Sequence, residues 1–307
     1  MINVFIDGSA GTTGLRIADR LSLRQDLNLI KLPDELRKDP NARKDAIHSA
    51  DIVFLCLPDA AAIEAVELAG DASAKIIDTS TAHRTNPDWV YGFPELKGMR
   101  EKILNSKRIA NPGCHASGFI ALVAPLVENG IIPADTPLTS FSLTGYSGGG
   151  KKMIAEYEDA ERSPLLKGPR QYGLTQQHKH LKEMVKLCGL DYAPTFCPIV
   201  GDFYSGMEVT VPLFASQIKG GIDDIRSLYQ SYYAQGLVRY NDAPDSDGLL
   251  SAAAYAGRDD MQVSVHGNDD RILLTARFDN LGKGASGAAI QNMNILLGID
   301  ESTGLHV

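Results

Sequence analysis

At 307 residues the chain is about twice a typical domain, so two domains are expected. Hydrophobic residues make up 44% and charged residues 22%, a globular balance, and no apolar run approaches the roughly 18–20 residues needed to span a bilayer, which excludes a membrane role. Thirty basic against 38 acidic residues leave a net charge of -8, which repels nucleic acid and anionic membranes, so any bound phosphate must be held by local groups.

The start, MINVFIDGSAG, lacks the basic segment and cleavage site of a signal peptide and runs straight into a strand. INVFI (2–6) is followed by DGSAGTTG and a helix with Leu15, Ala18, Leu21 and Leu23 on one face. LNLIKL (27–32) reads as a second strand, and DIVFLCLP (51–58) is a continuous apolar run closed by Pro58, as suits a strand covered on both faces. The Ala-rich DAAAIEAVELAG predicts a helix ending at Gly70, KIIDTST begins another strand, and RIA (108–110) delivers the chain to NPGC. This alternation predicts a parallel sheet, an α/β Rossmann-type nucleotide-binding domain.

Beyond residue 135 or so the texture changes. PLTSFSLTGY (137–146), MEVTVPLF (207–214), QVSVHG (262–267) and RILLTARF (271–278) are β-branched or alternating, several without intervening helices. They predict a second, α+β domain with a mostly antiparallel sheet, one exposed face of which would suit a dimer or tetramer interface. DNLGKGASG then precedes Ala288, Ile290, Met293, Leu296 and Leu297 at helical spacing, a helix expected to return to the first domain.

GSAGTTG sets Gly8, Gly11 and Gly14 after a strand and at the mouth of a helix, with Thr12 and Thr13 at the helix start. Glycines there let the turn close and the backbone approach a pyrophosphate, which a helix N-terminus attracts. The spacing is GxxGxxG rather than GxGxxG, so a tight turn without a ligand suits the same residues. After the second strand, KLPDELRK offers Asp34 or Glu35 for the ribose of NAD and Lys31, Arg37 or Lys38 for the 2′-phosphate of NADP, which leaves the choice open.

The four cysteines, Cys56, Cys114, Cys188 and Cys197, include no CxxC pair and read as free thiols of a reducing compartment, the cytoplasm. Cys56, Cys188 and Cys197 lie in apolar surroundings and read as small buried hydrophobes. Cys114 follows an Asn-Pro-Gly turn and precedes Phe119, Ile120, Val123 and Val127 at helical spacing, in a helix interrupted by Pro125. A sulfur at a helix start gains thiolate character, and the unpaired N–H groups there can hold an oxyanion. QQHKHLKEM places His178 and His180 on a polar stretch with no third ligand at matching spacing, so no metal is expected and a Cys–His acid–base pair is the better reading.

In order, GSAGTTG, DTSTAHR, YGFPEL, NPGC, HKH and NLGKGASGAAIQNMN make the chain resemble the N-acetyl-γ-glutamyl-phosphate reductase family, relatives of aspartate-semialdehyde dehydrogenase, in the shorter of its two forms. The resemblance implies reductive dephosphorylation of N-acetyl-γ-glutamyl phosphate to N-acetylglutamate 5-semialdehyde with NADPH, in arginine biosynthesis, through a thioester on Cys114. It implies an acid–base histidine within HKH, His178 in that role and His180 orienting substrate. Arg84 of DTSTAHR falls near the substrate phosphate, Asn111 positions the thiol or the phosphate, and Lys151 follows SGGG where the longer form has an Arg. Ser80, Gly282, Gly284 and Ser286 fall on NADP(H), while His115 stands where a Tyr often follows the cysteine.

The implied division is an NADP-binding domain of residues 1–113 and 284–307 and a catalytic, oligomerising domain of residues 114–283. The partners it implies are the acyl phosphate, inorganic phosphate and further copies of the chain in a homodimer or homotetramer. An aspartate-semialdehyde dehydrogenase with a shorter acyl phosphate and an inactive NADP-binding redox sensor are the rivals. NPGC with HKH argues against the first, and the intact Cys and His against the second.

Overall fold

Strands that are apolar on both faces make the first sheet. In the computed structural model, which describes residues 1–307, these are β1 (Ile2–Asp7), β2 (Leu27–Ile30), β3 (Ile52–Leu55), β4 (Lys75–Asp78), β5 (Val90–Tyr91) and β6 (Arg108–Ala110). They pair only in parallel, in the order β2-β1-β3-β4-β6-β5. Alternate residues feed two separate cores: Val4, Ile52, Phe54, Ile77 and Ile109 on one face, and Phe5, Val53, Leu55, Ile76 and Ala110 on the other. The order reverses at β1, where β2 and β3 lie on opposite sides, and ligands of such sheets bind beyond the strand ends at this point.

The first sheet is joined by α1 (Thr12–Leu21), α2 (Pro40–Ser49), α3 (Asp59–Ala69) and α4 (Met99–Leu104). The buried face of α1 is Gly14, Ile17 and Leu21, whereas Leu15 and Leu23, expected to be inside, are exposed. Gly14 sets this phase, because it presses so closely on the loop that a β-carbon would lie 2.4 Å from the Gly8 carbonyl oxygen. The helix α2 has little amphipathic signal and is started by its ends: Asp39 caps Ala42 N–H at 2.8 Å and Pro40 occupies the first turn.

The chain divides into two units, Met1–Pro112 with Ala285–Leu305, and Gly113–Gly284 with His306–Val307. The second opens with α5 (Cys114–Glu128), followed by β7 (Thr139–Gly145), α6 (Gly150–Glu158), β8 (Arg170–Gln171), α7 (Leu181–Cys188), β9 (Thr195–Gly201) and β10 (Met207–Phe214). It continues through α8 (Ile222–Tyr232), β11 (Val238–Tyr240), β12 (Met261–Gly267) and β13 (Arg271–Phe278). The helix α9 (Gly287–Leu296) then lies in the first unit, where its buried Asn292 donates to Gly92 O at 2.9 Å.

The second sheet, ordered β11-β12-β13-β10-β7-β9-β8, is mixed: four of its six strand pairings are antiparallel, as expected, and two are parallel. β12, β13, β10 and β7 do form the expected antiparallel core, but β11 joins β12 in parallel and β9 joins β7 in parallel. The second pairing follows from α7, which lies between β7 and β9 in the chain and lets them run the same way. One sheet face is packed by α5 and α8. The other carries Phe141, Leu273 and Phe214, which are 45%, 43% and 62% exposed, far more than interior sheet residues tolerate. No helix is long and apolar enough to cross a membrane.

The buried helix α5 runs unbroken through Pro125. Proline has no N–H, so the carbonyl of Ala121, one turn back, loses its helical partner. Tyr233 Oη fills the gap, donating to Ala121 O at 2.6 Å, and Tyr229 Oη donates to the neighbouring Leu122 O. Tyr233→Phe should therefore cost about 1–3 kcal/mol of stability, the penalty of a buried unpaired carbonyl. In a Pro125→Ala background, where position 125 regains an N–H, the same change should cost measurably less; equal losses in the two backgrounds by urea denaturation would refute the account.

Candidate functional site

In the first unit the glycines of GSAGTTG differ in what they do. Gly8 has φ +88 and lies where a β-carbon would meet Cys56 O at 2.3 Å, so it and Gly14 are demanded by the turn itself. At Gly11 a β-carbon would meet nothing nearer than 3.5 Å, and the residue is exposed. Gly11 precedes α1 without a side-chain cap, and the first turn holds no acidic residue. The N–H groups of Thr12, Thr13 and Gly14 are those a helix start leaves unpaired, so this end of β1 fits a pyrophosphate. Arg43 does not compete for it: the buried guanidinium donates to Asp7 at 3.0 Å and Glu64 at 2.9 Å. Burial pushes the Asp7 carboxyl up, against the opposing pull of Arg43. Of the basic residues after β2, Arg37 pairs with Asp34 at 2.7 Å, and Lys31 and Lys38 are exposed.

The DTSTAHR segment is organised by two carboxylates. Asp78 accepts from Ser80 N at 2.9 Å and Ser80 Oγ at 2.7 Å, and contacts His83 Nδ1 at 2.7 Å; Asp59 takes the N–H and hydroxyl of Thr81. The Ser80 hydroxyl is thus spent inside the loop. His83 stacks on Trp89 with ring centroids 4.1 Å apart. Arg84 is buried and donates to Thr79 O at 3.0 Å. Asn111 spends its amide on structure as well, donating to Ala285 O at 3.0 Å and accepting from Asn292 at 3.3 Å.

In the second unit Cys114 is the first residue of α5, preceded by Gly113 at the cap without a side-chain hydrogen bond. The Gly113 N–H is taken by Glu183 Oε2 of α7 at 3.0 Å, which ties the helix start to α7. Glu183 Oε1 lies 4.0 Å from His180 Nε2, one turn earlier. His178 Nδ1 accepts the His180 N–H at 3.2 Å, so a neutral His178 carries its proton on Nε2. The ring of His115 lies 5.6 Å from that of His178 and 5.5 Å from that of His180, with His178 and His180 4.7 Å apart. His115, His178 and His180 are therefore gathered at one place, beside the start of the helix that Cys114 opens. Lys151 lies in the first turn of α6 and is exposed.

The glycine-rich turn reaches the same place. A β-carbon on Gly284 would lie 3.0 Å from Cys114 Cβ, and one on Gly282 would lie 1.9 Å from Arg258 O, so both positions are closed to larger residues. The turn is shaped by Asp279, whose Oδ1 accepts from Leu281 N at 2.7 Å and whose Oδ2 accepts from Gly257 N and Ser205 Oγ. Asn280 binds Gly206 N and donates to Ser147 Oγ at 3.0 Å, which fixes the SGGG loop. Ser286, fully buried, precedes α9 in the first unit. Glu183, Asp279 and Asn280 were not singled out by the sequence reading; the His180-to-Glu183 spacing of one helical turn was the available signal for the first.

The remaining thiols differ in kind. Burial pushes the Cys56 thiol up to about 12 and that of Cys188 further, so both stay protonated. Cys197 is half-buried on β9, opposite the exposed Phe141 of β7, rather than enclosed among apolar neighbours.

Residues 3–106 match the family model for the semialdehyde dehydrogenase NAD binding domain, and residues 114–280 that for the semialdehyde dehydrogenase dimerisation domain. The N-acetyl-gamma-glutamyl-phosphate reductases of Brucella ovis and Brucella abortus are each 47% identical over 305 residues, covering 96% of this chain and 98% of theirs. Among solved structures, aspartate semialdehyde dehydrogenase II from Vibrio cholerae, complexed with ASA, superposes with a TM-score of 0.73 at 15% identity, covering 97% of this chain and 98% of that one. The aspartate semialdehyde dehydrogenase of Candida albicans, solved with NADP, gives 0.67 at 15% identity over 97% of this chain and 98% of its own. At that identity the likeness is one of fold, whereas the family models and the close relatives reach further: the chain belongs to the semialdehyde dehydrogenase family, on the branch of the N-acetyl-gamma-glutamyl-phosphate reductases.

Proposed function

We propose that the chain converts N-acetyl-γ-glutamyl phosphate to N-acetylglutamate 5-semialdehyde and inorganic phosphate, with Cys114 as nucleophile. It is an NADP-dependent oxidoreductase of arginine biosynthesis, as its 47% identity to reductases of that name supports. The observation that carries the assignment of Cys114 is a thiol at an uncapped helix start, with Glu183 on the N–H of the preceding Gly113 and His178 and His180 against the following His115. The positive end of α5 favours a negative sulfur. The Cys114 thiolate forms a C–S bond to the acyl carbon as the bond to the phosphate oxygen breaks and phosphate departs with the electron pair. Gly11, Thr12, Thr13 and Gly14 would hold the pyrophosphate of NADPH, which when bound would supply the hydride equivalent that takes a thioester to the aldehyde level.

His178 and His180 move the proton that release of the aldehyde requires. His178, with Nδ1 already accepting, offers an N–H donor from Nε2, and Glu183 balances the charge of an imidazolium at His180. Arg84 supports phosphate binding by its charge, and Lys151 is an exposed cation of the same sign on α6. Asn111 and Ser80 act through the loops they hold, and Gly282, Gly284 and Ser286 through the close packing that a bulkier turn would prevent. Four free cysteines fit a reducing compartment, the cytoplasm. The open sheet face with Phe141, Leu273 and Phe214 fits self-association as a homodimer.

Cys114→Ser should lower kcat by about a thousandfold or more while NADP binding is kept, since a serine alkoxide is far less available than a thiolate at neutral pH. Residual activity within tenfold of wild type would rule the thioester out. Gly11→Asp should leave the melting temperature intact, because the site is open, yet raise KM for NADPH about tenfold, as the carboxylate takes the helix-start donors; an unchanged KM would move the pyrophosphate elsewhere. With limiting iodoacetamide at neutral pH, peptide mapping should find Cys114 modified well before Cys56 and Cys188, with loss of activity tracking its modification. Early labelling of Cys56 or Cys188 would contradict their raised pKa values.

A further inference from the structure

Breaking an acyl phosphate leaves the phosphate short of a proton. The group carries about two negative charges at neutral pH, and when the C–O bond breaks and the electron pair stays on oxygen, it departs with one charge more unless a proton reaches it. A trianion leaves badly, so a proton donor placed at the phosphate lowers the barrier. That donor must sit where the phosphate is held, which the reading of Arg84 puts at the end of DTSTAHR.

His83, the residue before Arg84, has the arrangement of an acid–base imidazole. Its ring is buried, stacked on Trp89 with centroids 4.1 Å apart, and its Nδ1 lies 2.7 Å from Oδ2 of the fully buried Asp78. Ser80 gives Asp78 an N–H at 2.9 Å and a hydroxyl at 2.7 Å, and that hydroxyl in turn accepts from Ala82 N at 3.2 Å. Asp78 is thus the acceptor in all three contacts and His83 Nδ1 a donor. The neutral ring then carries its lone pair on Nε2, which has no partner within the protein, and a second proton taken up by the ring goes to Nε2. A carboxylate behind an imidazole fixes the ring and balances the positive charge it takes up. Asp78 ends β4, at the carboxyl edge of the first sheet, outside which ligands of such sheets bind. The other charged groups around the loop are Arg84, which donates to Thr79 O at 3.0 Å, Asp59, which holds Thr81, and Arg108, 5.8 Å from the centre of the Trp89 ring.

We propose that His83, backed by Asp78, is the catalytic acid that protonates the departing phosphate. As sulfur bonds to the acyl carbon and the C–O bond breaks, the electron pair passes to the phosphate oxygen and the Nε2 proton of the charged ring passes to the phosphate. Hydrogen phosphate leaves, the ring is left neutral with its proton on Nδ1, and solvent returns the second proton. In the reverse direction the bare Nε2 takes the proton from hydrogen phosphate as its oxygen attacks the thioester. The assignment deepens the phosphate reading of Arg84 and rests on it.

The experiment compares two reactions that acylate Cys114 or deacylate it. One is aldehyde oxidation with NADP and inorganic phosphate, in which the phosphate must shed a proton; the other is acylation by p-nitrophenyl acetate, whose nitrophenolate leaves without one. His83→Asn keeps an N–H donor in the place of Nδ1 and removes Nε2, with NADP binding and thermal unfolding as checks of fold. It should lower kcat in phosphate about a hundredfold and leave the rate with p-nitrophenyl acetate within about twofold of wild type. A loss in phosphate smaller than about tenfold, or an equal loss in both reactions, would overturn the assignment, the second because a merely structural role slows both alike. Should His83→Asn fail to fold, His83→Phe, which keeps a ring against Trp89, is read by the same two rates and the same limits. Arg84→Gln separates this assignment from the reading beneath it, since it should raise KM for phosphate about tenfold. An unmoved KM beside the expected His83→Asn split would sink the Arg84 reading alone, and a raised KM with no split would sink the role of His83 alone.

Discussion

The middle of α5 meets the second sheet at Gly118, where a β-carbon would lie 2.5 Å from Val209 Cγ2 and 2.9 Å from Phe278 Cε1. This contact sets the height of the helix on the sheet, and the site depends on it. The phenols of Tyr229 and Tyr233 hold the same helix one turn further on, at Leu122 and Ala121. Between Gly118 and Cys114 lies a single turn of buried helix, so the sulfur has little freedom to slide or roll. Its position is a property of the core.

The histidines are positioned by a different route. Gln176, with φ 56, clamps the backbone of Phe196 through both ends of its amide, accepting at 2.9 Å and donating at 2.7 Å. The segment carrying His178 and His180 is thereby hung on β9, and β9 lies in register with β7, from which Ser142 rises to His115. A slip of one residue in that pairing would send Ser142 to the open face. Side chains that come from three distant stretches of chain thus share one sheet as their ruler.

Much of this was legible in the sequence, and the parts that were not have a common cause. The parallel sheet and Cys114 at a helix start are written in neighbouring residues: apolar runs, glycine turns, an Asn-Pro-Gly before an apolar helix. The parallel pairing of β7 with β9 is not, because it joins residues more than fifty positions apart and β9 contains Pro198, which reads locally as a break. Glu183 was missed for the same reason, since its significance exists only after α7 has docked. Leu15 was assigned to the wrong face of α1 because the hydrophobic pattern allowed two phases and the steric demand at Gly14 selected the other. Local signals predicted what local forces build.

Trp89 is the only tryptophan in the chain, and it is buried against the imidazole of His83, with the Arg108 guanidinium 5.8 Å from its ring centre. A stacked imidazole drains the excited state of an indole, the more so when it carries a charge. Indole emission from this protein therefore originates at one spot, and its brightness follows how firmly Asp78 holds His83 in the stack. The segment that ends in Arg84 carries a built-in optical gauge, one that registers its loosening or tightening without any label being attached.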